Sequence, residues 1–286
     1  MREDTVRVWD LPTRLFHWGL AACVIGSLVT INLGGNAVAW HFRFGYAILT
    51  LLIFRLAWGF VGPRYARFAS FPPNPMAALR YLRGQEPSVA GHSPLGALSV
   101  YALLLSLAFQ AGTGLFANDA IMWDGPLRNP VSNATSDWLT SLHKPNRFVL
   151  LGLIALHLAA IAYYALLRRK PLVRPMITGD APLPADQPRA GAAGDGLRER
   201  SLASILLAAS GGIVWAVIEL LPRIVGRDTP ASASRARRAG ITAPGTCRDR
   251  PCRPNPWRPA ACEDRRGCRP HPAAWPSRPS ACPART

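Results

Sequence analysis

The sequence predicts an all-α integral membrane protein: a four-helix bundle, a fifth transmembrane helix and a disordered C-terminal tail. Three observations lead there. Apolar residues make up 49% of the 286-residue chain and charged residues only 17%, which excludes wholesale disorder. The apolar residues are gathered into runs of about twenty, long enough to span roughly 30 Å of hydrocarbon as helices. The basic residues are distributed unevenly between the connections, as positive-inside topology requires.

Residues 15–33 are nineteen positions without a charge. A secretory signal competes for this run, because Ala37-Val38-Ala39 mimics a small-x-small cleavage site. The acidic Glu3, Asp4 and Asp10 ahead of it, and its length, argue instead for an uncleaved helix. The second run, 38–62, is apolar apart from His41, Arg43 and Arg55, and the third, 95–117, carries no charge. A fourth, 148–167, is interrupted only by His157, and a fifth, 202–221, only by Glu219.

Arg2, Arg7 and Arg14 precede the first helix, Arg64, Arg67, Arg80 and Arg83 lie between the second and third, and Arg168, Arg169, Lys170 and Arg174 follow the fourth. The other two connections differ: 34–40 has no charge, and 118–142 sets Asp119, Asp124 and Asp137 against Arg128. The N-terminus is therefore expected on the cytoplasmic side and the acidic loop outside. Trp9, Trp18, Trp40, Trp58, Trp123 and Trp138 all lie near the ends of apolar runs, as interfacial anchors should.

Four histidines fall in or beside the first four helices: His17, His41, His143 and His157. A polar ring at membrane depth is costly unless it is paired or ligating, although a single one is explained as well by a helix–helix hydrogen bond. Spacing distinguishes the two readings. His143 and His157 are fourteen residues apart, so they share a helix face at two depths roughly 21 Å apart. The topology then pairs His41 with His143 near the outer side and His17 with His157 near the inner side. Two imidazoles facing each other at one depth suit a six-coordinate b-type haem, whose filled axial positions favour electron transfer. Two histidines without Cys or carboxylate make a poor zinc site.

Arg55, fourteen residues after His41, is expected near the inner surface. There it either pairs with a haem propionate or snorkels to lipid head groups. Lys144 is the corresponding, weaker candidate for the outer haem. His92, in Gly91-His-Ser-Pro-Leu-Gly96, reads as an interfacial loop residue before the third helix.

Taken together, these residues resemble a known family. Val8-Trp-Asp-Leu-Pro-Thr-Arg-Leu-Phe-His-Trp18, His41-Phe-Arg-Phe-Gly45, Arg55-Leu-Ala-Trp-Gly59, Ala66-Arg-Phe68, Gly91-His-Ser-Pro-Leu-Gly96, Leu142-His143 and Leu156-His157 are similar in order and content to prokaryotic cytochrome b561 and the b-type cytochrome subunit of nickel-iron hydrogenase. The resemblance covers about residues 5 to 178. It implies a bundle holding two b haems on these four histidines, passing electrons between a redox donor and the quinone pool from the bacterial inner membrane. A hydrogenase anchor subunit is the alternative within that class. A membrane scaffold or transporter, with the histidines in packing or proton relay, is the alternative outside it.

On this reading residues 1–178 are the di-haem domain, 179–201 a cytoplasmic linker rich in Ala, Gly, Pro and Asp, and 202–222 the fifth helix, whose Gly211-Gly212 pair offers close packing. The remaining 223–286 hold fourteen Arg against four acidic residues, +10 of the net +17. From Gly226 onward Ile241 is the one aliphatic residue larger than Ala, so no core forms there. An RNA- or lipid-binding tail is one reading of that charge. Its Arg, Pro, Ala and Cys content without Lys is also what a GC-rich gene gives when read in a shifted frame. No nucleic-acid partner is expected for the membrane domain.

Overall fold

The computed structural model describes residues 5–85, 91–169, 172–182 and 193–225. Five helices in it are long and apolar enough to cross a membrane. They are α1 (Leu11–Leu33), α2 (Val38–Val61), α4 (Pro94–Gly114), α5 (Asn133–Leu166) and α7 (Leu197–Glu219), with short α3 (Pro75–Leu82), α6 (Val173–Thr178) and α8 (Leu221–Val225) between or after them. The all-α membrane architecture is thus as expected. The 23 residues of α1 reach about 34 Å, and outward-facing Leu15, Ile25, Leu105, Phe148 and Leu156 are exposed, as a lipid-facing surface requires.

Helix starts follow from local chemistry. Asp10 caps α1, accepting from the Thr13 amide at 3.3 Å, Ser93 caps α4 through the Gly96 amide at 3.1 Å, and Ser132 caps α5 through the Thr135 amide at 3.1 Å. Each cap satisfies an amide that the helix itself leaves free.

The structure moves one boundary substantially. Helix α5 begins at Asn133, so the last ten residues of the loop assigned to 118–142 are helical, and Asp137 sits on a helix. The apolar run starts only at Phe148 because the preceding turns are held by polar contacts. Ser136 Oγ donates to the Phe116 carbonyl (2.7 Å) and Thr140 Oγ1 accepts from the Asn118 amide (3.0 Å).

Helices α1 and α2 form one antiparallel hairpin and α4 and α5 another, joined where α2 meets α4. The mid-depth core is Val24, Ile48, Leu52, Leu107 and Leu150, one or two from each of the four helices. A second cluster toward the N-terminal end contains Phe16, Phe54, Trp58, Ala66 and Ala203. Ala203 belongs to α7, which packs chiefly on α2, where a Cβ on Gly211 would lie 3.8 Å from Thr50 Cγ2. That is ordinary contact, and a Cβ on Gly212 would meet nothing within 4 Å, so α7 lies against α2 without requiring its glycine pair.

Of the connector assigned to 179–201, residues 183–192 lie outside the described residues, 197–201 already belong to α7, and the rest is tied to the N-terminal segment. Asp180–Pro182 (β2) pairs antiparallel with Thr5–Arg7 (β1), Val6 opposite Ala181. Gly179 turns the chain at φ +93°, with a Cβ there only 2.7 Å from the Trp9 carbonyl, so this turn needs glycine. Asp195 then fastens both ends, contacting Arg7 at 2.6 Å, the Leu11 amide at 3.2 Å and Arg200 at 3.3 Å. The tail assigned as disordered lies, from residue 226 onward, outside the described residues.

Candidate functional site

Helices α2 and α5 bring His41 and His143 together, with ring centroids 6.4 Å apart and planes at 84°. Each ring is anchored through Nδ1. His41 Nδ1 lies 3.0 Å from the Ser27 carbonyl and 2.9 Å from Ser27 Oγ on α1. His143 Nδ1 lies 3.0 Å from the Gln110 carbonyl and 3.3 Å from Thr113 Oγ1 on α4. A carbonyl can only accept, so Nδ1 carries the proton and Nε2 keeps its lone pair. Gln110 Nε2, 3.2 Å from His143 Nε2, donates to that lone pair, while Asn146 Nδ2 donates to Gln110 Oε1 at 2.8 Å. Gly114 gives the His143 ring its room: a Cβ there would come within 2.9 Å of Cε1.

At the other end His17 of α1 and His157 of α5 lie close enough to interact electrostatically. His157 Nδ1 is 3.5 Å from Ser99 Oγ on α4, and His17 Nδ1 is buried without a hydrogen-bond partner. The structure thus brings His41 and His143 into ring contact and leaves His17 and His157 within electrostatic reach of each other.

Arg55 does not snorkel. It is 4% exposed, its guanidinium lies 4.7 Å from the Phe68 ring centroid, and Nη1 has no hydrogen-bond partner. Fully buried Asp10 lies within its electrostatic reach but is engaged elsewhere, accepting from Trp58 Nε1 (2.9 Å) and Thr13 Oγ1 (2.7 Å). Burial pushes the Asp10 carboxyl up in spite of these bonds. Lys144 is exposed. Among the described residues no group of three or more His, Cys, Asp or Glu gathers to hold a bare metal ion.

The family model for prokaryotic cytochrome b561 matches residues 8–179, which include all four histidines and Arg55. The chain belongs to the prokaryotic cytochrome b561 family. A relative named as a probable Ni/Fe-hydrogenase B-type cytochrome subunit, from Rhizobium leguminosarum bv. viciae, is 23% identical over 220 residues, covering 63% of this chain and 90% of its own length. No solved structure matches. The protein is accordingly a multi-pass bacterial membrane b-type cytochrome that works in electron transfer, and its family membership implies haem b.

The residues of this cytochrome b561 fit that group once the Gln110 amide gives up the His143 Nε2 lone pair, which iron would take in its place. Two imidazoles on one metal, each with a metal–nitrogen bond of about 2 Å plus the depth of its ring, place their centroids roughly 6 Å apart, close to the 6.4 Å between His41 and His143. Nδ1 bonds to backbone carbonyls are the orientation that ligating histidines need. At the His17–His157 end, the unpartnered nitrogens of His17 and Arg55 are a ring donor and a cation suited to an anionic group.

Several contributors were invisible to sequence reading. Gln110, Thr113 and Asn146 leave one signal in the sequence, a polar residue in or beside an otherwise apolar helical run. His92, expected in an interfacial loop, is packed between Trp9 (centroids 4.7 Å) and Phe71 (4.1 Å). In the loop between α4 and α5 Asp119 accepts from the amides of Ile121, Met122 and Trp123 at 2.8–2.9 Å. These bonds hold its carboxyl below the usual range. Asp137 accepts from Asn118 Nδ2 at 2.9 Å, so two of the three loop acids secure the loop itself.

Proposed function

We propose that this cytochrome carries two b haems, one ligated by His41 and His143 near the outer face and one by His17 and His157 near the inner face. It carries electrons between a redox partner protein and the quinone pool of the respiratory chain. The N-terminus lies in the cytoplasm of a cell whose inner membrane holds residues 1–178 as the haem-carrying unit, with the fifth helix packed beside it. The observation that carries this reading is the His41–His143 pair, 6.4 Å apart with both Nδ1 atoms tied to carbonyls. Haem held by these histidines would supply one-electron chemistry at its iron.

The chain's own residues set the conditions for that chemistry. Ser27, Gln110 and Thr113 hold the outer imidazoles in the tautomer that points Nε2 away from the backbone, so a change of iron charge requires no ring reorientation. The apolar layer of Val24, Ile48, Leu52, Leu107 and Leu150 separates the two pairs and keeps water out between them. Arg55 follows Phe54, which meets Phe16 beside His17 (ring centroids 6.5 Å), so its positive charge stands at the depth of the inner pair, where it would hold a propionate. The similarity to the Rhizobium subunit favours a hydrogenase as the partner in a second version of the same reading, in which the protein anchors that enzyme.

Two measurements test this. Crossed imidazoles at 84° predict a strongly anisotropic low-spin electron paramagnetic resonance signal from the oxidised outer haem, lost in His143→Ala. Anaerobic mixing of the protein in liposomes with a short-chain quinol is expected to reduce both haems. Failure of quinol to reduce either would overturn the quinone assignment. A signal unaffected by His143→Ala would overturn the ligand pair.

A further inference from the structure

Among the described residues six buried side-chain atoms lack a hydrogen-bond partner; Ser106 Oγ lies in the middle of α4, and the other five, Arg55 Nη1, His92 Nδ1, Tyr65 Oη, Arg14 Nε and His17 Nδ1, lie toward the end of the bundle where α1 and α4 begin and α2 finishes. Native proteins rarely leave such groups alone, and a cluster of them points to something that partners them. His92 and Arg55 are the informative two. They sit on different elements, His92 just before α4 and Arg55 on α2, and are linked by a continuous aromatic wall. Arg55 lies over Phe68 at 4.7 Å, Phe68 meets Phe71 at 5.9 Å, and Phe71 meets His92 at 4.1 Å.

This placement is built by the chain. Gly91 turns at φ +98°, with the Tyr65 ring 3.0 Å from where its Cβ would be, so only glycine lets the loop close this tightly. Ser93 then caps α4, and Trp9 closes on the other edge of His92 at 4.7 Å. His92 is also close enough to feel the Arg55 charge, which together with burial pushes its pKa down to about 3. An anion between the two would relieve both. The nearby carboxylate, Asp10, already accepts from Thr13 and Trp58. A ligand must therefore bring the acceptor, and a carboxylate has the oxygens for a guanidinium on one side and an imidazole N–H on the other.

We propose that His92 and Arg55 together form a carboxylate site that holds the propionates of the inner haem, with His92 as a positioning residue outside the ligand set. This rests on the assignment of that haem to His17 and His157. By partnering propionate charge close to the iron, the two residues favour the reduced state and raise the midpoint of the inner haem alone.

The test is an optical potentiometric titration of the purified full-length cytochrome, with haem content measured on each sample, comparing wild type, His17→Ala, His92→Phe, His92→Gln and Arg55→Gln. Phe keeps the ring between Trp9 and Phe71 but has no donor, whereas Gln restores a donor. His92→Phe is expected to disfavour the reduced inner haem by about tenfold, which is about 59 mV for a one-electron couple. The haem lost in His17→Ala is the one that shifts, and the other is unmoved. His92→Gln is expected to recover most of the shift, and Arg55→Gln to move the same haem in the same direction. A His92→Phe protein with normal haem content and both midpoints at wild-type values would overturn the carboxylate site and leave His17 and His157 standing. A wild type with no haem that depends on His17 would overturn the ligand pair and the carboxylate site together.

Discussion

If His143 ligates a haem as proposed, replacing Gly114 by Ala is expected to loosen that haem while leaving the fold intact. The new Cβ would stand 2.9 Å from His143 Cε1 and 3.3 Å from Nδ1, where ordinary contact begins at 3.4 Å. The ring must then retreat by about 0.5 Å. His143 Nδ1 is held 3.0 Å from the Gln110 carbonyl, and that movement takes the bond beyond the roughly 3.2 Å limit of a good N–H···O geometry. A metal–nitrogen bond near 2 Å tolerates about 0.2 Å of error. Displacing a ligand and its supporting bond in this way costs about 10- to 100-fold in affinity. Gly112→Ala, two residues earlier, is the control: nothing lies within 4 Å of its Cβ, and Ala gains up to about 1 kcal/mol over Gly inside a helix. Haem extraction and the reduced-minus-oxidised spectrum of both variants, with thermal unfolding alongside, decide the matter. A Gly114→Ala protein that retains haem as firmly as Gly112→Ala would refute the placement of His143.

Other sites yield further expectations. Asp10→Ala removes the α1 cap, about 1 kcal/mol, and strands the Trp58 N–H, about 1–3 kcal/mol more. The melting temperature should fall, and Trp58→Phe should add little on that background, so fully additive losses would sink the shared bond. Asp195 is held below its ordinary pKa by the Leu11 amide, Arg200 and Arg7, against the cost of burial. A depressed carboxyl lends stability that is complete above its unfolded value of about 3.9 and is lost as pH falls through the lower folded value. Protection factors at the Val8 and Ala193 amides, corrected for the intrinsic slowing of exchange in acid, should therefore fall below about pH 3.9 in the wild type and already be low at neutral pH in Asp195→Asn. Identical protection in the two proteins at pH 7 would contradict the clasp. Finally, Thr50→Cys combined with Gly211→Cys should form a disulfide on mild oxidation, given the 3.8 Å approach of Thr50 Cγ2 to a Cβ at Gly211. Failure to cross-link would separate α7 from α2.

Much of the site was legible because membrane helices announce themselves by length, and a helix places residues fourteen apart on one face. That alone put His143 and His157 at two depths and, with loop charge, paired them across the bundle. The start of α5 was hidden because its first turns face polar partners, Phe116 O and the Asn118 amide, and carry no apolar period. His92 looked like a loop residue because its burial comes from Trp9 and Phe71, one far ahead in the chain and one beyond α2. The β1–β2 pairing escaped notice for a similar reason. Two three-residue strands joined at a separation of more than 170 residues leave no local pattern, and what fixes them is an ion-pair hub at Asp195 that only tertiary structure assembles.

The central claim is that four histidines hold two haems as two pairs. Counting haem per chain in the purified protein, in wild type and His143→Ala, tests it most directly. The account predicts two low-spin b haems in the wild type and one in the variant, with the remaining haem lost when His157→Ala is added. A wild type with no haem, or a His143→Ala protein that keeps both, would contradict it.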